Sequence, residues 1–228
     1  MIAGRPMIQH VYERARSVAD VDQVVVATDD ERIRSVVESF RGEALMTKAD
    51  HASGTDRLAE TVEILKAEAE DIVVNIQGDQ PAFHPGLISR VIQPLKDDPA
   101  LAMTTPAVPL SNISEARDPN IVKVVFDQNH QALYFSRAPI PWPRDGKTVY
   151  YFRHIGIYGY RAEFLRSFIA LPQGRLEILE RLEQLRALEH GYRIKVIITD
   201  HISPDVDVPA DIARVEEFLK CESKTPES

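Results

Sequence analysis

Short runs of β-branched residues alternate along this chain with stretches of helical period, and few folds other than a layered α/β sheet use that alternation. Gly4 and Pro6 punctuate the start, after which Ile8, Val11, Tyr12, Ala15 and Val18 recur at helical spacing among His, Glu and Arg. QVVVAT (23–28) follows, apolar on both faces as a strand covered on both sides of a parallel sheet would be, and Asp29 and Asp30 end it. The same alternation predicts a helix over 31–40, a short strand at EALM (43–46), a helix from Asp56, a strand at DIVVNI (71–76) and a helix after Pro85. In that order the elements imply an α/β sheet with right-handed crossovers.

From Ala107 the pattern changes. Prolines stand at 106, 109 and 119, and VKVVFD (122–127) and ALYFSR (132–137), separated by QNHQ, read as a β-hairpin. A smaller antiparallel excursion is expected over roughly 107–152 of a single domain. Helical periodicity returns over 162–168 and 176–188, then come a strand at KVIIT (195–199), a closing helix over 209–219 and a polar tail, CESKTPES, expected to fray.

The 228 residues, 44% of them hydrophobic, suffice for one substantial core. A net charge of −8 argues against a nucleic-acid surface, which needs clustered Lys and Arg, so an anionic substrate must meet local cations or a metal. No apolar stretch approaches the ~20 residues that span a bilayer, and the start lacks an exported protein's apolar core segment. Cys221, the single cysteine, permits neither an intramolecular disulfide nor a thiolate metal cluster, and a cytoplasmic location is expected.

In open α/β sheets ligands gather outside the carboxyl ends of the strands. QGDQP (77–81) follows a strand and sets Gly78 beside Asp79, giving close backbone approach and a carboxylate for a hard cation; an Asx turn would look the same. DHASGTD (50–56) offers hydroxyls and amides to a base, although capping the next helix explains it more simply. In DVDVP (205–209), Asp207 is either an N-cap or, with Asp79, one of two carboxylates holding magnesium. Along RLEILERLEQLRALEHG (175–191), Glu183 falls between Leu176 and Leu179 and Arg186 inside the leucine face; an i, i+3 ion pair accounts for both but not for Gln184. RHIGIYGYR (153–161) reads as one strand whose Gly156 and Gly159 either leave room for a small ligand or form a bulge, with His154 most simply structural.

Together GRPMIQHVYERA, VVVATDD, MTKADHASGTDRLAE, IVVNIQGDQP, NIVKVVFD, ALYFSRAPIPW, RHIGIYGYR, LEQLRALEHG and DVDVP resemble, in this order, the 3-deoxy-manno-octulosonate cytidylyltransferases, or CMP-Kdo synthetases. The resemblance implies a Rossmann-like, glycosyltransferase-A-like nucleotidyltransferase with a mixed sheet and an antiparallel excursion that helps form a homodimer. It implies transfer of CMP from CTP to Kdo, with release of pyrophosphate, for lipopolysaccharide biosynthesis. By the same resemblance Asp79 and Asp207 are catalytic magnesium ligands whose carboxylates should share a site. Ser53, Gly54 and Arg57 read the cytosine, and Gln80, Arg137, His154, Tyr158, Glu183 and Gln184 take the sugar. Arg137 suits the sugar carboxylate as a planar fork, and the sugar hydroxyls need partners such as Glu183 and Gln184.

The family opens with a strand and a loop of the type IPARxxSxRLPGKPL, whose Arg and Lys hold the triphosphate; Met1 aligns just beyond it. DVDVPAD stands where the family has VDTPED, and Ala52 where a polar residue is common. The 228-residue form is therefore expected to bind cytidine ligands weakly and to turn over slowly or not at all, an upstream strand and loop restoring it. The alternatives are a catalytically silent nucleotide- or sugar-binding dimer, and a synthetase for another acidic sugar such as sialic acid; YFSRAPIPW and RHIGIYGYR favour Kdo.

Overall fold

A computed structural model of the chain describes residues 1–222 apart from Ala52, Ser111, 146–149, Ile202, Ser203 and Asp207. In chain order the elements are α1 (Met7–Arg16), β1 (Val26–Thr28), α2 (Glu31–Ser39), β2 (Ala44–Met46), α3 (Gly54–Ile64), β3 (Ile72–Asn75), α4 (Gly86–Asp97), β4 (Met103–Pro109) and α5 (Ile113–Ala116). They continue with β5 (Lys123–Phe126), β6 (Ala132–Ser136), β7 (Phe152–His154), β8 (Tyr158–Arg161), α6 (Ala162–Phe168), α7 (Arg175–Glu180), α8 (Gln184–Glu189), β9 (Ile194–Ile198) and α9 (Asp211–Glu222). The chain divides into two compact units, residues 1–65, 76–89 and 201–228 forming one and residues 66–75 and 90–200 the other.

In the first unit, α1 buries Val11 and Ala15, two residues of the expected face. β1 pairs in parallel with β2, Val26 against Ala44, so the strand expected from Gln23 starts only where this ladder begins. Asp30 caps α2 by accepting from the Arg32 amide. On α9, Val215 packs with Ile2 and Ala82, joined at the margin by Ile212, Phe218 and Leu219. Arg14 ties these parts together, donating to the Phe83 carbonyl at 2.9 Å and pairing with Glu222.

The second unit is built on a seven-stranded sheet in the order β3-β8-β4-β7-β5-β6, with β9 on the other edge of β4. The mixed sheet matches expectation, but among the described residues only β4–β9 is parallel in this unit; the remaining ladders are antiparallel, so crossovers play a smaller part than the alternation implied. β4 was hidden by its prolines. Pro106 sits inside it, and because the N–H and C=O of one strand residue face the same edge, the Pro106 carbonyl that accepts from Ile155 marks where the missing N–H would point. That edge is the gap between β7 and β8, where no ladder bond is lost. RHIGIYGYR is accordingly two strands, broken at 155–157, rather than one.

The hairpin forms as predicted, with Lys123 opposite Ser136 and a bulge at Val125/Phe126. Its turn is closed by the Asp127 carboxylate, which accepts from the Asn129 and Gln131 amides at 2.8 Å, and Gln131 bridges Lys195 on β9. The helix expected over 176–188 is a correction: Arg181 adopts a left-handed conformation, φ 52° and ψ 50°, and splits it into α7 and α8. The break folds Arg186 back onto Glu177, bonded at 2.5 and 2.8 Å. In one straight helix those two residues would lie about 13 Å apart along the axis. The charge inside the leucine face therefore has Glu177 as its main partner, and Glu183, the partner expected, stands at 3.7 Å.

Candidate active site

The candidates of the first unit fall on two loops. Ser53 caps α3, its hydroxyl accepting from the Asp56 amide at 3.2 Å and donating to the Asp56 carboxylate at 3.0 Å. Gly54 follows with nothing within 4 Å of where a Cβ would stand, so the helix start is open on that side. Arg57, one turn on, reaches the carboxyl ends of both short strands: it bonds Thr47 Oγ1 at 2.5 Å beyond β2 and pairs with Asp29 at 3.0 Å beyond β1. The approach to the cap is braced by Glu60, which accepts from the Lys48 amide at 2.9 Å and from His51 at 2.5 Å; these bonds hold its carboxyl below the usual range.

The second loop is a tight turn. Gln80 is buried, its Oε1 accepting from the Gln77 amide at 3.3 Å, and the Gln80 amide donates to the Gln77 carbonyl at 3.2 Å. Gln80 thus braces its own loop, in addition to any part in sugar binding. Gly78 approaches Ile8 of α1, and the Asp79 carbonyl accepts from the Val206 amide at 2.9 Å. The Asp79 turn and the 205–206 segment therefore run side by side. Asp207 itself, and with it the expectation that the two carboxylates share a site, lies outside the described residues. Among the described residues no three His, Cys, Asp or Glu side chains group as a metal centre. Magnesium held by two carboxylates, triphosphate oxygens and water would need no such group.

The second unit brings its candidates together around the broken helix and the β7–β8 gap. His154 is buried, with Nε2 2.9 Å from Thr105 Oγ1 and its ring edge-on to Phe135. The Thr105 hydroxyl has one proton and two carbonyls, Ile155 and Ile157, to satisfy, which leaves His154 Nε2 as the donor. Burial, and then the Arg153 charge, pull the imidazole down to about 3, so it is neutral at physiological pH. The Tyr158 ring lies 5.3 Å from it, and burial together with the Glu183 carboxylate pushes the phenol well above its ordinary value. Tyr158 is therefore a hydroxyl donor close to Glu183. Gln184, buried at the start of α8, follows directly. Gly159 does not leave ligand space: Thr104 Oγ1, Val91 and Leu95 stand 2.5–3.0 Å from where its Cβ would be, so it permits helix-to-strand packing.

Arg137 stands at the C-terminus of α7. Its Nε donates to the Glu180 carbonyl at 2.8 Å, Nη1 to Pro119 at 2.9 Å and Nη2 to Arg181 at 3.5 Å. Among the described residues two of its five N–H groups remain without a partner, one on each terminal nitrogen. Sequence reasoning missed Thr105, Glu177 and Glu180, whose roles depend on the β7–β8 gap and the kink at Arg181. Lys123 carried a signal in the charge it places within VKVVF.

A family model described as cytidylyltransferase matches residues 1–195. The 3-deoxy-manno-octulosonate cytidylyltransferase of Syntrophus aciditrophicus (strain SB) is 53% identical over 96% of this chain and 88% of its own. An 8-amino-3,8-dideoxy-manno-octulosonate cytidylyltransferase of Shewanella sp. (strain W3-18-1) is 48% identical over 96% of this chain and 89% of its own. Among solved structures, a CMP:2-keto-3-deoxy-manno-octonic acid synthetase complexed with CTP superposes with a TM-score of 0.91 at 44% identity, covering 97% of this chain and 90% of that one. With matches of this extent, the chain belongs to the cytidylyltransferase family.

Proposed function

We propose that this enzyme transfers CMP from CTP to the anomeric hydroxyl of 3-deoxy-manno-octulosonate and releases pyrophosphate. The observation that carries the reading is its likeness, at 44% identity and a TM-score of 0.91, to a synthetase solved with CTP. The chemistry of the site supports it. Ser53 and Gly54 at the open start of α3, with Arg57, bind the cytosine. Arg137 takes the sugar carboxylate with its two remaining N–H groups, and Tyr158, Glu183 and Gln184 meet the hydroxyls, while neutral His154 orients Tyr158 without adding charge. The sugar hydroxyl then attacks the α-phosphorus in line, and pyrophosphate departs. Asp79 and Asp207 would hold magnesium, which when bound neutralises charge on the triphosphate oxygens.

Leu133, on β6 of the hairpin, is 62% exposed, and Trp142 and Tyr150, later in the chain, are each 77% exposed; this exposed apolar surface supports a homodimer built partly on the hairpin. No helix among the described residues is long and apolar enough to cross a membrane. A cytoplasmic setting, supplying activated sugar for lipopolysaccharide, is part of the same reading.

Pyrophosphate release measured with CTP and Mg²⁺ against Kdo, its 8-amino analogue and sialic acid is the test. Whatever turnover the chain shows should be greater with Kdo than with the other two and should be lost on chelation, and a dimer is expected by sedimentation. CTP binding without turnover on any of the three sugars would instead make the protein a nucleotide-binding module. A monodisperse monomer at micromolar concentration would remove the hairpin interface.

A further inference from the structure

Lys123 is among the largest fully buried side chains of the chain, at 0% exposure, in a place where a hydrophobic residue would cost far less. Its ammonium donates all three of its protons to backbone carbonyls: Asp118 at 2.9 Å, Ile121 at 2.5 Å and Arg137 at 2.6 Å. Desolvation holds its pKa below the ordinary lysine value, opposed by Asp118 and Glu180. Across the same residue, the Glu180 carboxylate accepts from the Arg137 amide at 3.0 Å with one oxygen and from Ser136 Oγ at 2.6 Å with the other. Arg137 is thus gripped at its N–H by a full negative charge and at its C=O by a full positive one. Its guanidinium meanwhile donates to the carbonyls of Pro119, Glu180 and Arg181. Lys123 and Arg137 between them occupy the carbonyls of Asp118, Pro119 and Ile121, so the 118–121 turn is locked to the same centre.

We propose that Lys123 and Glu180 are positioning residues that fix Arg137 so that its two uncommitted N–H groups face the carboxylate of the acidic sugar. The idea rests on the reading of Arg137 as the sugar-carboxylate ligand. Stability alone does not require this arrangement, because a buried ammonium on neutral carbonyls is weakly compensated for its lost hydration. What it does supply is a backbone and side chain held in one orientation, the condition under which a planar fork discriminates a carboxylate.

The test compares Glu180→Gln, Lys123→Met and Arg137→Ala in the full chain, measuring kcat, KM for Kdo, KM for CTP and the thermal midpoint. Glu180→Gln is the principal variant, since its amide keeps the shape and the Ser136 and Tyr134 hydroxyls can turn to meet it. We expect it to raise KM for Kdo about tenfold while KM for CTP stays within about twofold, with Lys123→Met shifting the same constant if it folds. An increase in KM for Kdo with Arg137→Ala but none with Glu180→Gln would overturn the positioning role and leave the sugar reading standing. No change in KM for Kdo with Arg137→Ala would remove the sugar reading and the proposal together. Changes that raise both KM values alike, or that only follow a lowered thermal midpoint, would reduce Glu180 and Lys123 to structural residues and overturn the proposal.

Discussion

Glu177→Ala should be among the most damaging substitutions for stability, and the cost follows from the pairing. Arg186 is 8% exposed and Glu177 7%, and the guanidinium meets the carboxylate through two bonds at 2.5 and 2.8 Å while lying 4.8 Å over the Phe168 ring. Removing the carboxylate strands a buried cation, which costs about 3–5 kcal/mol. Glu183, with an oxygen 3.7 Å from Arg186 Nη2, recovers a little of this, and loss of the Glu177 bond to the Gly174 amide at 3.3 Å adds a little. For a chain of 228 residues, 1 kcal/mol moves Tm by about 2–4 °C, so the midpoint should fall by roughly 6–20 °C. The double variant Glu177→Leu with Arg186→Met replaces both charges by apolar groups of similar volume and should return to within about 2 kcal/mol of the parent. Urea unfolding of the parent, Glu177→Leu, Arg186→Met and the double variant closes the cycle, with Glu177→Ala measured beside it. A loss below about 1 kcal/mol for Glu177→Ala, or a double variant as unstable as the sum of the singles, would refute this account of the buried pair.

Gly159→Ala would bring a Cβ within 2.5 Å of Thr104 Oγ1 and 2.9 Å of Val91, and should cost about 1–3 kcal/mol by urea unfolding; a neutral result would mean that α4 gives way freely. His154, neutral in the fold with a pKa of about 3 against 6.5 for the free side chain, takes up a proton on unfolding below that value. The unfolded state binds the extra proton, so stability falls as pH drops from about 6.5 towards 3, by up to about 1.4 kcal/mol per unit. His154→Gln should therefore lose about 2 kcal/mol less than the parent between pH 7 and 5, whatever its stability at pH 7, and an equal loss would show that His154 is protonated in the fold.

Much of the local order was readable without coordinates. The apolar spacing of 8–18 makes α1, Ser53 caps α3, and the β-branched runs around QNHQ form the hairpin, because periodicity and caps act over one or two turns of chain. Order and identity of the segments sufficed for the family. Reading failed where distant chain decides the outcome. Pro106 looks like a breaker until the gap between β7 and β8 is known to lie beside it. Leu176 to Leu188 has the pattern of one helix, yet Arg181 turns left-handed, with Arg186 bonded back to Glu177 and Arg137 to the freed carbonyls.

The same division runs through the candidate site. Asp79, Gln80, Arg137, His154, Tyr158, Glu183 and Gln184 could be named from the sequence because motifs preserve residue types in order. That His154 is neutral, that Tyr158 stays protonated beside Glu183 and that Arg137 keeps two free N–H groups were decided only by tertiary structure. Protonation and donor count depend on burial and on partners far away in sequence, and Lys123 and Glu180 acquire their meaning only when 118–137 and 180 meet around one arginine.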